Sequence, residues 1–348
     1  MYFFGDFAIP GPEVDTDFRP APGEHALVNV EGYLVQDAIA PTNAAGVHNQ
    51  VSAIQSLGWD KIILGFANNH IADRDDGVVN SVAIAQAAPM PSVGAGATLA
   101  EATSPLIVEE DGISVAIVAA GWDLIGCIHA TERSSGVAPM KAAPLLRQVR
   151  QLKAAGHKVV LFLHWGYETE RYPHPLHRQM AHDLAEAGAD IIVGCHAHCL
   201  QGFERHEGVP IFYGTGNFAF QEGHYYGGAL RFPAYCSPGL SVRWDVKSGD
   251  VTVAEVRYSG ADHTLEIGSF TPPEANAKLA ELSRFSALDA KSYLAFFRAN
   301  RVKKALLPIF SGSDESIGYR AKYAWVKARG LLLSAAFKAK ARLKRARA

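Results

Sequence analysis

Seven short, nearly continuous apolar strings, Tyr2 to Gly5, Ala26 to Val30, Lys61 to Gly65, Val115 to Ala119, Val159 to Leu163, Ile191 to Val193 and Ile211 to Tyr213, punctuate the first 220 residues. A string this short and this apolar reads as a strand buried on both faces, the condition of a parallel strand covered by helices. Between the strings, Leu145 to Ala155 and Leu176 to Ala187 place apolar side chains at helical spacing, and Gly156 and Gly188 stand where helix C-terminal glycines belong. The alternation predicts a layered α/β domain.

From about Gly227 the rhythm changes. Ser241 to Val246 and Val251 to Tyr258 alternate as strands joined by the turn-rich Lys247 to Asp250, which predicts an antiparallel hairpin. After Pro272 and Pro273 the pattern is helical, with an interruption around Pro308 to Gly318. We therefore expect a domain over 1–262 and a helical C-terminal extension over 263–348, ending in a basic tail over 320–348. No internal repeat or low-complexity segment is visible.

Composition narrows the class. Of 348 residues, 48% are hydrophobic and 20% charged, as in ordinary globular proteins. No apolar stretch, Leu331 to Phe337 included, reaches the roughly 20 residues of a membrane-spanning helix. Met1-Tyr-Phe-Phe-Gly-Asp has no basic region before its apolar run, so no secretory signal is expected and the cytoplasm is the expected compartment. Four cysteines do not make a disulfide framework. Cys195 and Cys199 have half the spacing of a zinc clip, but no second pair completes it.

Net charge is −2, unevenly spread: from Arg320 onward there are ten Lys or Arg and no acid, which leaves 23 bases against 35 acids on the preceding 319 residues. An acidic body with a basic tail suggests an anionic partner for the tail, either the inner face of a membrane or exopolymer machinery. The plainer expectation is a solvated basic helix docked on the acidic body. No specific nucleic-acid partner is expected.

Polar residues gather where the strings end. Asp6, Glu31, Asn69-His70, His164 and His196-x-His198 each follow one of them, the edge at which open α/β sheets bind ligands. Two carboxylates, an amide oxygen and three imidazoles suit one or two ions of Mn, Zn or Fe better than Ca or Mg. Two such ions about 3.5 Å apart can clamp the oxygens of an in-line phosphoryl displacement. Nothing supports a dinucleotide fingerprint at Gly94-Ala-Gly96, and there is no serine-hydrolase elbow or P-loop.

Taken in order, Phe4-Gly-Asp6, Val28-Asn-Val-Glu31-Gly, Ala67-Asn-Asn-His70-x-x-Asp73, Val93-Gly-Ala-Gly96, His164-Trp-Gly-x-Glu168, Gly188-Ala-Asp-Ile-Ile-Val-Gly194-x-His196-x-His198 and Tyr213-x-x-Gly216-Asn-Phe218 resemble the motifs of CapA-type capsule and poly-γ-glutamate synthesis proteins, members of the calcineurin-like metallophosphoesterase superfamily. The resemblance covers roughly residues 2 to 220. It implies a four-layer sandwich of mixed sheets flanked by helices. It also implies that Asp6, Glu31, Asn69, His164, His196 and His198 are metal ligands, that His70 is the leaving-group acid, and that Asp73 and Glu168 orient histidines. Asn29, Asn68, Trp165 and Asn217, inside those blocks, and His174 are the candidates for contacting substrate.

The pattern also departs from the superfamily. Ala8 stands where the wider superfamily has the histidine of Asp-x-His, and Glu31 replaces a bridging Asp; Cys195 and Gly214-Thr215 replace the usual His and Ser-Leu. The expected function is a metal-dependent hydrolase acting on a phosphate ester, small or polymeric, in capsule or exopolymer synthesis. The alternatives are a metal-holding assembly factor without turnover, and a metal-dependent hydrolase of a γ-glutamyl amide.

Overall fold

The structure, a computed structural model, describes residues 1–11, 13–36, 46–302, 307–311, 314 and 316–329. The tail beyond residue 329 lies outside the described residues.

Two sheets carry the molecule. The first has eight strands: Thr264–Ile267, Val251–Ser259, Gly239–Trp244, Tyr2–Ala8, Ala26–Val30, Ile62–Gly65 and Ser92–Val93 in that spatial order, with Asn217–Phe220 also paired to Tyr2–Ala8. The second has six: Phe203–His206, Val209–Phe212, Ile191–Cys195, Lys158–His164, Ile113–Gly121 and Leu106–Glu110. In the first, Tyr2–Ala8, Ala26–Val30, Ile62–Gly65 and Ser92–Val93 run parallel. In the second, Ile113–Gly121, Lys158–His164, Ile191–Cys195 and Val209–Phe212 do. Their apolar strings are buried along their whole length, as strands covered on both faces must be.

The sheets pack face to face. A Cβ on Gly65 of the first sheet would meet the Phe162 ring of the second at 2.8 Å, so only a residue without one lets the layers close here. Val115, Ile117, Val160, Phe162, Ile191 and Val193 face this shared core. Their alternates Val118, Val159, Leu161, Leu163 and Ile192 face a second core on the outer side, built with helices Ala142–Ala154, Pro175–Glu186 and Ala290–Asn300. Ala53, Ile54, Val78 and Ala85, from helices Val51–Gln55 and Gly77–Ala87, pack into the first core. The architecture is the expected α/β arrangement of several sheets flanked by helices.

One feature differs from the expected helical extension. The segment after residue 262 opens with a strand, Thr264–Ile267, that pairs antiparallel with Val251–Ser259 and finishes the sheet edge; four residues are too short to show a period against the flanking loop. Its later helices join the outer core through Phe285, Tyr293 and Phe297.

Residues 317–329 are helical, and this helix docks on the body by one face. Tyr319 and Val326 are buried in the outer core. The Tyr323 hydroxyl donates to Asp123 Oδ2 at 2.6 Å, Lys327 Nζ to Asp123 O at 3.0 Å, and Lys322 Nζ to Ile309 O at 2.8 Å. Among the described residues no helix is long and apolar enough to cross a membrane. The four cysteines are free and buried. Cys195 Sγ lies 3.7 Å from Thr215 Oγ1, and Cys199 Sγ donates to Glu170 O at 3.2 Å, so the C-x3-C pair is divided between different partners.

Candidate metal centre

Parallel strands deliver their C-terminal ends to one edge, and the two sheets share that edge. Asp6 is not at a strand end, as its apolar string suggested. Tyr2–Ala8 continues past it, and the register shifts on both sides of Asp6, against Ala26–Val30 and against Asn217–Phe220. Such an irregularity re-aims a side chain. His196 and His198, just past Ile191–Cys195, adopt φ of 87° and 54°, a left-handed conformation that costs a residue with a Cβ about 1–3 kcal/mol and persists where surrounding contacts impose it.

Donor atoms of Glu31, His164 and His196 all lie within 4.8 Å of one another. Asn69 Oδ1 stands between the two imidazoles, 2.8 Å from His164 Nε2 and 3.1 Å from His196 Nδ1, and Glu31 Oε2 is 3.5 Å from His164 Nε2. Donors that share one ion at roughly 2.0–2.2 Å stand roughly 3–3.5 Å from each other, so this spacing fits a single first-row cation. Beside it, His198 Nδ1 lies 3.1 Å from Asp6 Oδ2 and 2.8 Å from Asn217 Oδ1. The His198 ring stacks on Phe232, centroids 4.3 Å apart. The two groups are tied together by Asn29, whose Nδ2 donates to Asp6 Oδ1 at 2.8 Å and to Glu31 Oε2 at 3.0 Å, and by the His196 N–H on Asp6 Oδ1 at 3.3 Å.

Asp6, Glu31, His164, His196 and His198 are all buried. Burial, reinforced by the Asp6 charge, pushes the Glu31 carboxyl up to about 7. Burial also disfavours charge on Asp6, but His198 overrides it and holds that carboxyl below its ordinary value. Burial and the neighbouring His196 push His164 well down. For His198, burial is outweighed by the Asp6 charge and contact, which raise it to about 9. Glu31 Oε1 is buried and, among the described residues, nothing donates a hydrogen bond to it, an expensive condition that a cation would relieve. The donor chemistry, the spacing and this orphaned oxygen fit a divalent ion.

His70 borders the cluster, its Nε2 3.9 Å from Glu31 Oε1. Its Nδ1 lies 2.9 Å from Asp73 Oδ2, which also accepts from the Val47 N–H at 2.9 Å. Burial opposes a charged ring, yet the Asp73 contact and the Glu31 charge raise the His70 pKa. Tyr226, which the sequence did not mark, donates to the same Asp73 oxygen at 2.6 Å and lies 3.0 Å from His70 Nδ1. Glu168 is close enough for its charge to raise both His198 and Tyr226.

Three candidates for substrate contact are placed elsewhere. Trp165 follows His164, so its side chain leaves the opposite face, where Nε1 donates to Tyr213 O at 2.8 Å and the ring stacks on His177 in the outer core. His174 caps helix Pro175–Glu186, with Nδ1 accepting from the Leu176 N–H at 3.3 Å, and its Nε2 lies 3.1 Å from Phe310 N; burial pushes its pKa down to about 3. Asn68 is spent on backbone, accepting from the N–H groups of Gly32 and His70 and donating to Val30 O. Asn29 and Asn217 do lie in the cluster, as partners of its carboxylates and of His198; Asn29 is buried and Asn217 half-buried.

Residues 16–222 match the family described as bacterial capsule synthesis protein PGA_cap. The chain belongs to this family. Among curated relatives, the capsule biosynthesis protein CapA of Bacillus anthracis is 28% identical over 214 residues, 60% of this chain and 52% of that protein. The PGA biosynthesis protein CapA of Bacillus subtilis (strain 168) is 33% identical over 165 residues, 46% of this chain and 43% of that one. A probable polyglutamine synthesis accessory protein of Mycobacterium tuberculosis is 30% identical over 167 residues, 44% of each chain. The chain thus spans about half the length of the curated relatives it matches. Solved structures with low-scoring likeness include an NAD nucleotidase of Haemophilus influenzae, at TM-score 0.35 and 14% identity over 88% of this chain and 51% of that one. Another is a 5'-nucleotidase precursor of Thermus thermophilus, at TM-score 0.34 and 16% identity over 79% and 50%.

Proposed function

We propose that this chain is a metal-dependent hydrolase that cleaves a phosphate ester in the synthesis of a bacterial capsule or exopolymer. The observation that carries the reading is the joint arrangement of Glu31, Asn69, His164 and His196 at ion-sharing distances with a carboxylate-backed histidine, His70, on the rim.

Glu31, Asn69, His164 and His196 would hold one divalent ion of Mn, Zn or Fe, with Asp6, His198 and Asn217 able to hold a second. When bound, such an ion supplies Lewis-acid stabilisation of negative charge on a phosphoryl oxygen. Asp73 accepts from His70 Nδ1–H, so His70 carries its transferable proton on Nε2, the nitrogen on the cluster side, and can deliver it to a departing oxygen. Tyr226 fixes the accepting oxygen of Asp73. Asp6 Oδ2, 3.1 Å from His198 Nδ1, fixes the orientation of that imidazole.

A second reading, a metal-holding assembly factor without turnover, draws support from Ala8, a buried methyl where the wider superfamily supplies a histidine, and from the word accessory in the name of the mycobacterial relative. Turnover of a generic aryl phosphodiester by the Mn²⁺-loaded protein, with γ-glutamyl oligomers assayed in parallel, separates the readings. Phosphodiester hydrolysis that collapses in His70→Ala supports the hydrolase; full metal loading with no turnover of either substrate overturns it in favour of the assembly factor.

A further inference from the structure

The helix over 317–329 is two-sided. Tyr319, Tyr323 and Val326 pack on the body, while the opposite face, Ile317, Ala321, Ala324, Trp325 and Ala328, turns to solvent. Ile317 is 87% exposed and Trp325 54%, the most exposed large apolar side chains on the helix. At 3.6 residues per turn, Arg320 and Lys327 line one edge of this outward stripe, and Lys322 and Arg329 the other. An outward apolar face carrying tryptophan and edged by cations has the composition of a helix lying in a lipid interface, where the ring sits at headgroup depth and the bases meet anionic headgroups. The chain that follows is of the same character: Lys338, Lys340, Arg342, Lys344, Arg345 and Arg347 occur in residues 330–348 without one acid.

We propose that the outward face of this helix is a docking surface for an anionic lipid membrane, held there by Ile317 and Trp325 with Arg320 and Arg329 at its edges, while Lys322 and Lys327 bond to the body. The occupant follows from charge complementarity: residues 1–319 carry 23 bases against 35 acids, whereas Arg320 to Ala348 carry ten bases and no acid. The docked face ends on Asp123. The same loop begins at Trp122, whose N–H donates to His164 O at 3.0 Å, which links the docked helix to the strand that carries His164. The proposal does not depend on what the centre hydrolyses.

The full chain itself supplies the probe. Trp59, Trp122, Trp165 and Trp244 are buried, so Trp325 is the tryptophan whose emission responds to lipid. With vesicles of phosphatidylcholine and phosphatidylglycerol, emission should shift to the blue and the protein should sediment with the vesicles, less so as salt rises. Vesicles of phosphatidylcholine alone should give neither. Ile317→Ser/Trp325→Ser should keep the thermal melt of the wild type and lower partitioning about tenfold or more. Failure to bind anionic vesicles, equal binding to neutral ones, or undiminished binding by the double variant would overturn the proposal. So would equally tight binding of both proteins to heparin, which would make the surface a general polyanion site. A concentration-dependent dimer abolished by the double variant would instead make a second copy the occupant.

Discussion

His70 turns Nδ1 to Asp73 Oδ2 at 2.9 Å, three residues along the chain, and this leaves Nε2 as the ring nitrogen facing Glu31. A histidine held so by a carboxylate is fixed in tautomer and in orientation.

The first expected outcome concerns that proton. Removing the ring in His70→Ala should lower turnover of an aryl phosphodiester by about 10²–10⁴-fold while metal content stays at the wild-type level. Parallel elemental analysis and steady-state kinetics check it. Loss of metal in step with activity would make His70 a ligand instead.

Asn29 offers a second test. Its one amide group donates to two buried carboxylates, Asp6 and Glu31, that repel each other when both are charged. Asn29→Ala should destabilise the chelator-treated protein by about 1–3 kcal/mol, and added Mn²⁺ should recover much of the loss, because a cation offsets the same repulsion. Melts with and without metal measure both quantities. An equal deficit in the two states would show that Asn29 acts only through packing.

Trp165 distinguishes a core role from a substrate role. Trp165→Phe gives up the hydrogen bond to Tyr213 O and part of the stack on His177, and should cost about 1–3 kcal/mol of unfolding free energy with KM unchanged. Urea denaturation beside kinetics reads both. A several-fold rise in KM at undiminished stability would return Trp165 to the substrate.

Far from the metal centre, Glu204 is buried with Arg178 Nη2 at 2.8 Å, His182 Nε2 at 2.7 Å and the Tyr213 hydroxyl at 2.5 Å. Burial works against its charge, but these partners bring its pKa down to about 2, below the 4.5 of a free glutamate. A depressed folded-state value means stability that is complete above the unfolded pKa and is lost as pH falls from about 4.5 toward about 2. Glu204→Gln should therefore cost roughly 3 kcal/mol at pH 7, where Arg178 is left without its partner charge, and progressively less toward pH 3. Urea midpoints across that range test it, and a deficit independent of pH would contradict it.

Legibility in the sequence followed burial. Ala26–Val30 and Ile191–Cys195 are apolar along their whole length because helices and a second sheet cover them, so composition alone exposed them. The ligand-like residues were visible for a related reason, since few other polar groups interrupt those strings. Side-chain direction was less visible. Trp165 and Asn68 are adjacent in sequence to His164 and Asn69, yet alternation and loop geometry turn them inward, and the motif did not distinguish neighbour from ligand. His174 looked available until the helix start engaged its Nδ1 and the Phe310 backbone came against its Nε2. Tyr226 gave no signal at all: it sits in the run Glu222 to Gly228, without period or ligand spacing, and meets Asp73 only through tertiary folding.

The central claim is that distant strand ends hold a divalent cation, and elemental analysis of the purified chain tests it most directly. The account predicts at least one Mn, Zn or Fe per wild-type chain and its loss in both Glu31→Ala and His164→Ala, with each variant still folded by circular dichroism. A wild-type chain that takes up no divalent metal when offered each of the three, or variants that retain the full complement, would contradict it.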